Sequence, residues 1–246
     1  MLVVGHRGAA GEAPENTIAG CRHAIERGVR HIEIDIQLSK DNKLVVVHDG
    51  TLKRTTGKSG RINSRTARQL ATMDARQFGP PWPRKTDCGI PTLEQLLRRT
   101  PKLQSYQLEV KSGPRKDMQY IAEQLATMFP NKSAAKRIIV TSFNTHLLET
   151  LRSIAPHIRI GLVSYETNVG MVADALKPDY LCLHTELALA QSSVSLIRRM
   201  RRHGVHISVW TANEPDMIRA LYKLNVDSVI TDYPSMAIPL VACLQR

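Results

Sequence analysis

At 246 residues, 42% of them apolar and 23% charged, the chain has a globular composition and is neither disordered, collagen-like nor a disulfide scaffold. A formal net charge of +12 points to an anionic partner. Aromatic residues make up only 4%, too few for base-stacking platforms, and no apolar run reaches the length of a membrane span, which leaves phosphate ahead of nucleic acid or a bilayer.

Short β-rich runs alternate with amphipathic helical stretches. "LVVGH" precedes a helix from about Thr17 to Arg27, with Asn16 as its expected N-cap and Ile18, Cys21 and Ile25 on one face. "HIEIDIQ" is the second strand. "LVVVHD", residues 44–49, returns after only "SKDNK", a link that can join antiparallel strands but cannot hold a crossover helix. A hairpin arm is therefore expected, and a turn centred on Asp41 and Asn42 brings His48 back towards Asp35. Residues 49–90, rich in Gly, Pro, Thr and Arg, read as a long insertion whose one helical piece is "LATMD"; loops this long in a compact domain tend to be functional.

The alternation then resumes. "TLEQLLRRT" reads as helix, "YQLEVK" as strand and "MQYIAEQLATMF" as helix; next come "RIIVTSF" with "HLLETLRSI", and "IRIGLVSY" with "VGMVADAL". "YLCLH" with "SVSLIRRMRR", "HISVWT" with "PDMIRALYKL", and "SVITD" with "MAIPLVACL" complete the series. One strand per helix makes eight βα units, so the predicted fold is α/β: a (β/α)8 TIM barrel carrying a β-hairpin and an inserted segment after strand 2, in a single domain spanning 1–246.

Several features have plain structural readings. Arg198, Arg199, Arg201 and Arg202 share a helical pattern with Val194, Ile197 and Met200 and read as a solvated face. Cys21, Cys88, Cys182 and Cys243 are scattered, which argues against disulfides or a zinc site and for reduced thiols. His184, at a strand end, reads as structural; His23, His146, His157 and His203 read as surface residues. Charge arrives at Arg7 before any apolar segment could form, so a secretory signal is not expected and a cytoplasmic location is.

Catalytic groups of such barrels cluster at the carboxyl ends of the strands, and the early strands end in polar residues. Glu33 and Asp35 are two apart on a strand and project to one face, opposite Ile32, Ile34 and Ile36. Glu109 is expected on the neighbouring strand. Three carboxylates with no thiolate suit one hard divalent cation, Mg²⁺ or Ca²⁺; structural ion pairs with Arg7 and Lys111 are the alternative. His6 and His48 at the same mouth fit a general acid and base, and Arg7 and Lys111 are natural phosphate ligands.

The set "HRG", "PENT", "EIDIQ", "VVVHD", "LKRTTGKSG", "IPTLEQLL", "LEVK", "VWTAN" and "TDYP", running from residue 5 to about 234, resembles the glycerophosphodiester phosphodiesterase family. The resemblance implies an irregular (β/α)8 barrel with an insertion after the second strand, and metal-dependent hydrolysis of glycerophosphodiesters such as glycerophosphocholine or glycerophosphoethanolamine to glycerol 3-phosphate and an alcohol. It implies His6 and His48 as the acid/base pair, Glu33, Asp35 and Glu109 as metal ligands, and Arg7 and Lys111 as phosphate contacts. Trp210 carries over as an apolar wall for the substrate, with a plain core position as its other reading. The usual Glu-Ile-Lys is Glu-Val-Lys here, with both polar positions intact. The competing functions are a lysophospholipase D, disfavoured by the polar "GKSGRINSRTARQ" and the lack of a visible anchor, and a non-catalytic phosphate-binding barrel, for which the complete residue set is unnecessary. Oligomeric state is not legible.

Overall fold

The computed structural model describes residues 1–246. Its strands are β1 (Leu2–His6), β2 (His31–Leu38), β3 (Leu44–Val46), β4 (Ser105–Val110), β5 (Ile138–Ser142), β6 (Arg159–Ser164), β7 (Tyr180–His184), β8 (His206–Trp210) and β9 (Ser228–Thr231). All but β3 pair in parallel in the order β1-β9-β8-β7-β6-β5-β4-β2, and β1 pairs with β2 to close the ring. This is the predicted eight-stranded TIM barrel. β3 runs antiparallel to β2, with Ile36 opposite Val46, as the short link requires. Asn42 turns that hairpin at φ 56, a left-handed conformation that asparagine tolerates.

The helices are α1 (Ile18–Glu26), α2 (Lys53–Thr56), α3 (Ala67–Ala71), α4 (Leu93–Arg99), α5 (Arg115–Met128), α6 (Thr145–Ile154), α7 (Val169–Leu176), α8 (Thr185–Leu189), α9 (Ser193–Arg202), α10 (Pro215–Lys223) and α11 (Pro234–Leu244). Their starts follow local chemistry. Thr66 and Thr92 form capping boxes with Gln69 and Gln95, Asn144 caps α6, and Pro215 and Pro234 occupy first turns where no backbone donor is lost.

Three expectations are corrected. Thr17, not Asn16, caps α1, accepting from Gly20 N at 3.0 Å; Asn16 is turned away by a φ of 55. The helix near "LATMD" starts earlier, at Ala67, because Thr66 caps it, and the insertion also holds α2 and a 3-10 turn, Ile62–Ser64. Of the four histidines assigned to the surface only His203 is exposed. His23 lies 2.9 Å from Glu12 Oε2 and edge-on to Trp82, partners that sequence spacing does not reveal.

Between the strands and the helices lies one apolar core in which Ile32, Ile34 and Ile36 are fully buried. A second cluster, among them Val45, Val47, Leu52, Ile62 and Leu70, underlies the insertion. The helix face on α9 is as predicted: Ile197 and Met200 are buried, while Arg199 and Arg201 pair with Asp174 and Asp227. Cys21, Cys88 and Cys182 are buried and free, and burial pushes the Cys21 thiol up to about 12.

Inside the barrel, small polar side chains lie among aliphatic ones such as Val163 and Ile230. Ser228 Oγ donates to Ser208 Oγ at 2.9 Å, and Gln107 reaches Ser208 at 3.4 Å. His206 ends this chain, 2.9 Å from Ser228 Oγ and stacked on Tyr180 with ring centroids 4.3 Å apart. Burial holds its pKa down at about 4. Free imidazole titrates near 6.5, so the unfolded chain binds the proton first. The stability this confers is whole above about pH 6.5 and is lost as pH falls towards 4. Urea unfolding at pH 7.5 and pH 4.5 should show the native protein losing about 2 kcal/mol more than His206→Gln between the two; parallel pH responses would refute this.

Candidate active site

Barrel closure places β1 and β4 on either side of β2. His6 lies level with Glu33, and Asp35 level with Glu109, so residues from three distant stretches meet at one mouth. The hairpin adds His48: Val47 N donates to Asp35 O at 3.0 Å, which pins the strand end that carries the imidazole. Gly8, at φ 92, lets the chain leave β1 against α1, where a Cβ would lie 3.0 Å from Cys21 N.

Glu33, Asp35 and Glu109 present oxygens within 4.8 Å of one another. Glu33 and Asp35 are almost wholly buried. Burial first, then repulsion from Asp35 and Glu109, pushes the Glu33 carboxyl well above the carboxylate range, with Arg7 and Lys111 offsetting only part. Burial also opposes the Asp35 charge, but Lys111, Arg7 and His48 outweigh it and hold that carboxyl low. Lys111 Nζ sits 2.9 Å from Asp35 Oδ1 and bonds Glu109; Arg7 Nε is 3.2 Å from Asp35 Oδ2, close but outside hydrogen-bond alignment. Ion pairing with Arg7 and Lys111, the structural alternative, therefore exists. It does not complete the site: Glu33 Oε1 is buried with no hydrogen-bond partner. A buried, unpartnered carboxylate oxygen facing two further carboxylates fits a hard divalent cation.

Each histidine is held by its own carboxylate. His6 Nδ1 lies 2.6 Å from Asp232 Oδ1, and Asn213 Nδ2 donates to Asp232 Oδ2 at 2.6 Å. His48 Nδ1 lies 2.8 Å from Asp49 Oδ1, and Arg54 clamps Asp49 through Nε at 2.8 Å and Nη2 at 2.9 Å. The Arg54 bonds draw the Asp49 carboxyl down to about 2. Both arrangements leave the opposite ring nitrogen, Nε2, without a hydrogen bond, that of His6 lying 3.8 Å from Glu33 Oε2, the geometry an oriented acid or base requires.

The loop after β1 supplies the connections. Glu15 accepts from Arg7 at 3.0 Å and from Arg54 at 2.6 and 2.8 Å, joining the two arginines. Asn16 Nδ2 donates to Asp35 Oδ2 at 2.7 Å, and its Oδ1 accepts from Asp35 N at 3.2 Å. Pro14 O accepts from Thr17 Oγ1 at 2.8 Å. Glu15, Asp49, Arg54, Asn213 and Asp232 have no reading in the sequence alone and Asn16 only that of a helix cap; the signal lay in "PENT", "HD", "TAN" and "TD", each placing a carboxylate or amide beside an identified group, and for Arg54 in "LKRTTGKSG".

Trp210 lines the same small cleft as His6, Glu33 and Glu109. Its Nε1 donates to Cys182 O at 3.2 Å and it is half-buried, so it is not a plain core residue. His184 packs edge-on against it, centroids 5.1 Å apart.

Comparison with known proteins gives the family and agrees with the fold. Residues 6–236 match the model of the glycerophosphoryl diester phosphodiesterase family. A glycerophosphodiester phosphodiesterase from Caldanaerobacter subterraneus is 33% identical over 251 residues, covering 98% of this chain and 97% of that one. The crystal structure of a glycerophosphodiester phosphodiesterase from Thermotoga maritima superposes with a TM-score of 0.79 at 27% identity, 98% of each chain being covered. An Oleispira antarctica phosphodiesterase, solved with the product sn-glycerol-3-phosphate, has the same fold, with a TM-score of 0.83 at 23% identity over 98% of this chain and 97% of that one.

The crowded carboxylates set up a stability test. In chelator, Glu33→Gln should be more stable than the native protein by about 1–3 kcal/mol, since it replaces a buried carboxyl whose ionisation is opposed by burial and by two neighbouring carboxylates with a neutral amide. With Mg²⁺ or Ca²⁺ the native protein should gain stability and the variant much less, read as unfolding midpoints in urea. Equal gains in both would show that the cation binds elsewhere.

Proposed function

The chain belongs to the glycerophosphoryl diester phosphodiesterase family, and from that premise we propose that it hydrolyses small glycerophosphodiesters to sn-glycerol 3-phosphate and a free alcohol, with His6 and His48 as acid and base and one divalent cation, Mg²⁺ or Ca²⁺. We take residues 1–246 as one catalytic domain in which the insertion at 49–90 brings Arg54 to the site. The observation that carries this reading is the convergence of two imidazoles, each oriented through Nδ1 by a carboxylate, on a mouth holding three carboxylates and two cationic side chains.

Glu33, Asp35 and Glu109 would hold the cation, which when bound supplies Lewis-acid polarisation of a phosphoryl oxygen. Arg7 and Lys111 bind and orient the phosphate and offset charge gathering on its oxygens. One imidazole takes the proton from the attacking oxygen, and the other delivers one to the departing alkoxide. Asp232 and Asp49 hold the ring tautomers that leave Nε2 towards the substrate. The insertion, polar and basic through "GKSGRINSRTARQ", supports the glycerophosphodiester reading over lysophospholipase D chemistry, which needs an apolar surface for the acyl chain.

Purified protein should release glycerol 3-phosphate from glycerophosphocholine with Mg²⁺ or Ca²⁺ and stop in chelator. His6→Ala and His48→Ala should each lower kcat by about 10²–10⁴-fold. Release that survives chelation and both substitutions would overturn the assignment; turnover of lysophosphatidylcholine alone would transfer it to the acyl-bearing substrate. Asp232→Asn, which keeps the shape but favours the wrong His6 tautomer, should cut kcat by about 10²-fold or more with KM within about twofold, whereas a purely structural Asp232 would show lost stability and an unchanged kcat per folded molecule.

A further inference from the structure

The barrel mouth is divided by chemistry. β1, β2 and β4 end in the charged groups described above. The next four strands in ring order, β5, β6, β7 and β8, each end in or run directly into an aromatic ring: Phe143, Tyr165, His184 and Trp210. The rings form a connected arc. Tyr165 tilts against Phe143 with centroids 5.6 Å apart, Phe143 stands edge-on to Trp210 at 5.8 Å, and His184 does so at 5.1 Å. In a chain with 3 Phe, 2 Trp and 6 Tyr, gathering three of them on one rim is a marked concentration. Phe143 is 36% and Tyr165 62% exposed, so ring faces remain open to a ligand, and Trp210 joins the arc to the cavity holding His6 and Glu33.

Charge is segregated the same way. None of the 34 lysines and arginines falls within 143–151, 165–176, 184–197 or 210–218, the segments that leave these four strands at the mouth. Asp174 and Asp216 there pair with Arg199 and Arg219, while Glu166, Glu186 and Glu214 are exposed and pair with no cation. One half of the rim is thus cationic and suited to phosphate; the other is aromatic, carries no lysine or arginine of its own and is bordered by unpaired carboxylates.

Building on the phosphodiesterase reading, the geometry points to a subsite formed by Phe143, Tyr165 and Trp210 that binds a quaternary ammonium group on the leaving alcohol. Such a cation has no N–H to offer a carboxylate and is weakly hydrated, so aromatic faces are its strongest partners, tryptophan above all. A primary ammonium would keep its water and gain less. The arc is therefore a selectivity device for a trimethylammonium ester over an uncharged one of equal shape.

The test compares glycerophosphocholine with the ester of 3,3-dimethylbutanol, in which carbon replaces the nitrogen. The native protein should favour the ammonium ester in kcat/KM by about five- to thirtyfold, the span expected of partly desolvated cation–π contacts. Phe143→Leu with Tyr165→Leu should bring the ratio below about threefold, and Phe143→Tyr with Tyr165→Phe should restore it. A native ratio within about twofold of unity, or one indifferent to the leucine pair, would overturn the subsite. If neither ester is hydrolysed, the phosphodiesterase reading is what fails, and binding decides the subsite. Saturation-transfer NMR should then show choline, but not 3,3-dimethylbutanol, binding the native protein and losing contact in the leucine pair; no saturable choline signal would end the proposal.

Discussion

Everything at the mouth depends on keeping three carboxylates within contact distance in a buried place. Glu33, Asp35 and Glu109 repel one another there, and a folded chain can hold such a cluster only by supplying positive charge or hydrogen bonds. Lys111 and Arg7 supply the charge, Asn16 the bonds to Asp35. Even so, Glu33 Oε1 lacks a partner. Buried ionic groups of this kind are poor devices for stability; their retention fits a site that waits for a cation and an anionic ligand together.

The backbone is shaped around that cluster. Arg7 and Asn16 both adopt positive φ, 49 and 55, conformations of modest cost that aim one guanidinium and one amide at Asp35. The insertion contributes in turn. Its small apolar core fixes the segment carrying Arg54, and Arg54 joins Glu15 to Asp49 and so to His48. A side chain from the first βα loop and one from the insertion thus share a hydrogen-bond network with the histidine of the hairpin. From the end of the strand beside β1, Asp232, itself held by Asn213, steadies His6, so each imidazole is oriented by a carboxylate of its own.

The division of the rim extends this logic from reaction to recognition. In the proposed reaction the charged groups on β1, β2 and β4 bind the phosphate, and the arc from β5 to β8 receives the alcohol it carries. Charge and ring chemistry separate the two halves together: the segments leaving β5 to β8 contain no lysine or arginine in a protein whose net charge is +12, and they carry the connected rings.

Much of this was legible in the order of residues. The alternation of strand and helix fixed the barrel, and the short "SKDNK" link marked the antiparallel arm, because both follow from local periodicity and chain reach. His6, Arg7, Glu33, Asp35, His48, Glu109, Lys111 and Trp210 could be nominated because strand ends are where such barrels place their polar groups. The sequence could not say which residues orient them. Asn16 sat where a helix cap was expected, and only the packing of its loop against β2 turned it to Asp35 while Thr17 took over the cap. His23 read as a surface residue until Trp82, far along the chain, folded over it. Asp232 meets His6 across 226 positions, a contact made only when β9 closes the ring beside β1. Pattern along the chain determined the elements and the reactive groups; ring closure, which sets distances between residues remote in sequence, decided their partners, their charge state and the two-sided character of the mouth.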